Sequence, residues 1–177
     1  MRQLNIEKML QLKKVAQDVD KIDDVLEVVL TFVGTFGLDE ITDLLLIPAR
    51  HHFGVTEGGD EAVAVELDGI DAFRQVYWDG DGQPLTADKI RLGTVLTAHR
   101  VRVSRPSVDG EENVLLIAEE AKIEKIDLEF NHKTHVDLTL RIKTVASGDE
   151  VGRVSELINH DVLVFTKNTT TELDFGE

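Results

Sequence analysis

The stretch "THVDLTLRIKTVASGDEVGRVSELI", residues 134–158, carries the fold in two halves. The first half alternates. Val136, Leu138, Leu140 and Ile142 fall on one face of an extended chain, and polar side chains fall on the other. The second half has a helix start. Ser147 can cap the first turn and Glu150, three residues on, can reach back to it, which is a capping box. Asp149 and Glu150 then sit at the positive end of the helix dipole. These acids therefore have a local role and require no active site.

A shift of 110 residues brings an earlier stretch into register without a gap. Leu26, Val28, Leu30 and Phe32 fall on Val136, Leu138, Leu140 and Ile142. Asp39 and Glu40 fall on Asp149 and Glu150, and Ile41, Leu44 and Ile47 fall on Val151, Val154 and Leu157. Gly37 replaces Ser147 as the cap, a position glycine tolerates. The expectation is a pseudo-twofold pair of strand–helix units, 24–47 and 134–158. The competing reading is that any two amphipathic strand–helix units can be slid into agreement.

Working outward, residues 4–15 fit a short helix or an irregular strand, and "QDVDKIDD" reads as a polar connection. "GLDEITDLLLIP" reads as a short helix stopped by Pro48. "RHHFGVTEGGDE" is a glycine-punctuated loop, "AVAVEL" at 62–67 a strand, and "GIDAFRQVYW" at 69–78 a short helix or strand. "KIRLGTVLTAHRVRV" suggests two strands, "ENVLLIAEEAKIEKIDLEF" one long strand or two, and "DVLVFT" at 161–166 a final strand. The fold class expected is α+β, mainly β: antiparallel sheet with two or three short packing helices. No Pro- or Ser-rich linker appears, so residues 1–177 read as a single domain, with about 1–75 and 85–177 as its candidate halves.

The 177-residue chain carries 34 acidic and 19 basic residues, a net charge of −15. That balance disfavours direct binding to a nucleic-acid backbone, which needs a basic footprint. Its bland explanation is a solubilising surface. There is no cysteine, so disulfides, thiol catalysis and thiolate metal sites are excluded. The first residues lack the apolar core of a signal peptide, and no apolar run approaches the ~20 residues of a membrane-spanning helix. The expected location is a cytoplasm, or something assembled there, with no membrane association.

No constellation of residues announces chemistry. "WDGDGQPLTADKI" looks like a calcium loop, yet counting from Asp79 its sixth and twelfth positions hold Pro84 and Ile90 instead of glycine and an acid. His51 and His52 are adjacent and point to opposite faces if extended, while His132 and His135 stand at a strand start with no acid tied to them. There is no serine elbow and no glycine-rich phosphate loop. The chain is accordingly read as non-enzymatic, with no catalytic residue, no cofactor and no metal.

One charge feature interrupts the acidic background. From Lys89 to Val108 there is no acid, while Arg91, Arg100, Arg102 and Arg105 lie within that run, with Lys89 and His99. In a strand, Arg100 and Arg102 share one face, and Val101 and Val103 the other. The four arginines are the candidate interaction surface, because arginine favours interfaces and acidic partners. The bland alternative is a solvated face paired with neighbouring acids. Residues 57–81, by contrast, hold eight acids against Arg74. Opposed strips of this kind would suit head-to-tail self-association into a ring.

The order "VLLIAEEAKIEKIDLEF", "VDLTLRIKTV", "GDEVGRVSELI", "DVLVF", preceded by "YWDGDGQPLTADKIRLG", resembles a loose group of uncharacterised bacteriophage and prophage proteins often encoded among recombination genes. The resemblance covers about residues 75–165 and rests on patterning. It implies a phage origin and a non-enzymatic accessory role in DNA recombination or counter-defence, through a protein partner. It supplies no catalytic residues. The chain is similar in kind to a second group, tail-tube-type virion subunits, which are small, cysteine-free and β-rich with a flanking helix. That likeness implies a ring-forming homo-oligomeric virion component.

Overall fold

The computed structural model describes residues 3–22, 25–41, 44, 89–92, 95–106, 112–129 and 135–170. Seven strands are present among them: β1 (Ile6–Ile22), β2 (Val25–Gly37), β3 (Lys89–Leu92), β4 (Leu96–Arg105), β5 (Asn113–Glu129), β6 (His135–Ser147) and β7 (Asp161–Asn168). A 3-10 turn, Leu38–Ile41, follows β2, and one α-helix, α1 (Gly148–Ser155), follows β6. The sheet is antiparallel. Its order is β3-β5-β4-β7-β1-β2-β6, and an added pairing of β5 with β6 closes six strands into a barrel, leaving β3 on the flank of β5. Mainly β with antiparallel sheet and a short packing helix is thus the observed class. The proposed strand at 62–67, the element at 69–78, the acidic strip 57–81, the Asp79 loop, His51, His52 and His132 lie outside the described residues.

Two compact units are formed, and each draws on residues from before 75 and after 85. The larger holds most of the barrel. Its interior contains Leu10 and Leu12 from β1, Val28, Leu30 and Phe32 from β2, and Leu140 and Ile142 from β6, all buried. Val101 and Val103 from β4, Ile123 from β5, and Val162 and Val164 from β7 are buried in it as well. Each such aliphatic side chain contributes roughly 1.5–3 kcal/mol by leaving water. The smaller unit has its own buried set, among them Phe36, Ile41, Leu44, Leu128, Val136 and Leu138.

Bulges set the phase of the strands. Leu12 pairs with Phe32 but Lys14 with Thr31, so β1 carries one extra residue there. On β5, His99 faces Ala121 and Val101 faces Ala118, which leaves Glu119 and Glu120 both exposed in the middle of one continuous strand. The broken alternation at "AEEA" is the reason its sequence suits one strand or two. β1 is longer than its sequence suggests. It runs through the polar "QDVDKI", because pairing with β2 continues to Ile22 opposite Val25. Only Ile6–Gln11 of β1 also pair with β7.

Helix α1 starts as its sequence indicates. The Glu150 amide donates to Ser147 Oγ at 3.3 Å, and the Ser147 amide donates to the Glu150 carboxylate at 2.8 Å. Val151 and Val154 are its buried residues. The turn after it docks on β1: Asn159 N–H donates to the Leu12 carbonyl at 2.7 Å, and Leu12 N–H to the His160 carbonyl at 3.0 Å. Asn159 has φ 70°, a left-handed conformation that asparagine accepts more readily than most residues. The earlier strand–helix unit shares part of this pattern. Gly37 N–H donates to the Glu40 carboxylate at 2.7 Å, as Ser147 does to Glu150. After β2, the described residues of the first unit are the 3-10 turn Leu38–Ile41 and a helical Leu44.

Candidate interaction surface

β4 explains where the basic residues point. Ala98 has φ 55°, a left-handed backbone rare for a residue with a Cβ. Its carbonyl accepts from the Thr169 amide at 2.8 Å and from Thr169 Oγ1 at 2.9 Å, which hold the distortion in place. The register slips at this point, between Leu96 and His99. Leu96 is buried before the slip, and His99, Val101 and Val103 are buried after it. Arg100 and Arg102 therefore share the outer face of the barrel, as alternation predicts. His99 leaves the basic strip altogether and enters the interior at 0% exposure. Burial lowers its pKa, and a hydrogen bond with the Thr97 carbonyl opposes that shift.

The outer face is organised as a row across four strands. Glu7 of β1 lies opposite Phe165 of β7, Phe165 opposite Arg102 of β4, and Arg102 opposite Ile117 of β5. The Arg102 guanidinium stacks over the Phe165 ring at 5.2 Å from its centroid. Its Nη2 lies 3.9 Å from Glu7 and its Nε 3.2 Å from Glu112 Oε1. The second approach lacks hydrogen-bond alignment, since Nε makes no such bond. Glu112 Oε1 accepts instead from the Ser104 hydroxyl at 2.6 Å. Arg100 Nη2 pairs with Glu119 at 3.2 Å. Arg105 is exposed at the end of β4, opposite Asn113.

These geometries place the strip among neighbouring acids. Exposed pairs of this kind are worth about 0–1 kcal/mol each, so they orient the side chains more than they stabilise the fold. Arg91 is set apart from the row. It lies on β3, exposed, with Nε 2.8 Å from the buried carboxylate of Asp127, and that hydrogen bond, with the charge of Asp127, raises its pKa.

The remaining feature of the face is apolar. Met9 and Ile117 are exposed by 43% and 45%, and Met9 lies opposite the half-buried Leu163. An open groove of about 350 Å³ runs over the start of β1 and the end of β7, lined by Asn5, Glu7, Phe165, Lys167 and Asn168 among others. Met9, Ile117, Leu163 and Phe165 are residues that charge counting misses. A signal exists for two of them: "DVLVF" is apolar in both phases, so one phase had to face outward or be covered. Among the described residues, no group of three His, Asp or Glu is placed to hold a metal ion, and no helix is long and apolar enough to cross a membrane. No protein-family model, curated protein or solved structure matches the chain.

Proposed function

We propose that the protein works by binding, as a phage-encoded accessory factor in DNA recombination or counter-defence that engages a protein partner through the outer face of β1, β7, β4 and β5. The observation that carries this reading is the Glu7–Phe165–Arg102–Ile117 row, with Met9 beside it. Aromatic, Met and Arg side chains at the centre of a patch with charges around it match the composition of protein interfaces. The test compares wild type with the Met9→Glu, Ile117→Glu double variant by quantitative co-purification from infected host cells. Loss of a specific partner with unchanged circular dichroism is expected. The same co-purifying set from both proteins overturns the assignment of this face.

The second reading is a ring-forming virion subunit of tail-tube type. It is favoured by the closed antiparallel barrel with a helix packed on it. Mass spectrometry of purified particles separates the two. Many copies per particle support the virion role and overturn the accessory role.

A further inference from the structure

Residues 3–5, which precede β1, are tied to the barrel by three bonds around one histidine. The Leu4 amide lies 3.4 Å from His99 Nε2. The Leu4 carbonyl accepts from Thr166 Oγ1 at 2.5 Å, and Asn5 Oδ1 accepts from the Asn168 amide at 2.8 Å. His99 Nδ1 is 2.8 Å from the Thr97 carbonyl oxygen. An oxygen that can only accept puts the ring proton on Nδ1, and Nε2 is left with the lone pair that receives the Leu4 amide.

Among the described residues, those that face His99 carry no charge. On the N-terminal segment the neighbour is Leu4, buried at 1% exposure. On β5 the residue opposite is Ala121, and on β7 it is Asn168, with Thr166 beside it. All are neutral. The charged residues next to them in sequence, Arg100 on β4, Glu120 and Lys122 on β5, and Lys167 on β7, are exposed.

We propose that His99 is a proton-operated latch on the N-terminal segment. Taking a proton from solvent at Nε2 removes the lone pair and turns an acceptor into a donor that faces the Leu4 amide. Two donors then oppose each other in a buried setting, which is costly. Residues 3–5 detach from β4 and β7, Leu4 leaves its buried site, and the imidazolium gains access to water. The device is independent of which partner the outer face binds.

The test follows the full-length protein by NMR from pH 8 to pH 5. It reads the His99 ring resonances together with amide-exchange protection of Leu4, using Val101 and Val164 as barrel controls. If opening is linked to uptake of one proton, Leu4 protection falls about tenfold per pH unit below about pH 6.5. The controls stay protected, and the loss begins above the pH at which the buried His99 ring titrates. In His99→Gln the Leu4 protection is independent of pH. The wild-type measurement stands alone if that variant does not fold. Leu4 protection that is flat from pH 8 to pH 5, a ring that titrates while Leu4 remains protected, or loss of Leu4 and the controls together each overturns the latch.

Discussion

Arg102 holds its guanidinium carbon 5.2 Å from the centre of the Phe165 ring, directly across the β4–β7 ladder. The pair joins the charged and the apolar halves of the outer face. A double-mutant cycle of Arg102→Ala with Phe165→Leu should give a coupling of about 0.5–1 kcal/mol in equilibrium denaturation. Arg102→Lys should lose most of that coupling, because an ammonium has no plane to stack. Zero coupling would reduce the stack to coincidence.

Ala98 supplies a second test. An L-residue in the left-handed region costs about 1–2 kcal/mol, and glycine escapes most of that while losing about 0.5–1 kcal/mol to unfolded-state entropy. Ala98→Gly should therefore leave the protein as stable as wild type or raise its stability by up to about 1 kcal/mol. Ala98→Val should destabilise it. Denaturation midpoints decide between these outcomes. Equal losses from both changes would mean that the bulge does not hold Ala98 in this conformation.

The start and the middle of α1 should respond in opposite directions. Ser147→Ala removes the cap and should cost about 1 kcal/mol. Gly152 is exposed inside the helix, and a Cβ added there meets nothing within 4 Å. Gly152→Ala should stabilise the protein by about 0.5–1 kcal/mol. Thermal unfolding at one pH and salt concentration checks both changes.

Acid should weaken the fold through His99. Its folded-state pKa is lowered, mainly by burial. Above the unfolded value, about 6.5, both states are neutral and the contribution is complete. As the pH falls from there, the unfolded chain takes up the proton first, and stability drops until the lower folded-state value is passed. Denaturation at pH 7.5 and at pH 5.5 should show a loss in wild type that is smaller in His99→Gln. Equal losses would assign the effect to other groups.

The periodic parts of this fold were open to reading in advance. Val28, Leu30 and Phe32 on β2, and Leu138, Leu140 and Ile142 on β6, are all buried as alternation requires. The capping box at Ser147 is a local hydrogen-bond pattern, and local patterns survive folding. What escaped depended on partners distant in sequence. β1 continues through a polar run because β2 lies beside it. His99 counts by charge as one more basic residue, although it shares the parity of Val101 and Val103 and is buried with them. The same limit applies to the candidate surface. The parity of Arg100 and Arg102 is visible from spacing alone, whereas Phe165 and Ile117 become their neighbours only through the order of strands in the sheet.

β1 extends well past the last residue that β7 pairs with it. Beyond Leu12, no strand lies on that side of β1 among the described residues. A strand margin of this kind is a template on which other chains can polymerise. The β1–β2 ladder, on the other side of the strand, carries a bulge between Leu12 and Lys14, and Lys13 and Lys14 stand exposed there. Charge and irregularity are two of the means by which β proteins deter edge-to-edge aggregation. Lys13→Thr with Lys14→Val should leave the barrel folded and lower its solubility, read as light scattering that rises with concentration. That outcome would give two lysines in a strongly acidic chain a part in keeping its copies apart, and unchanged scattering would leave them as solvated charges.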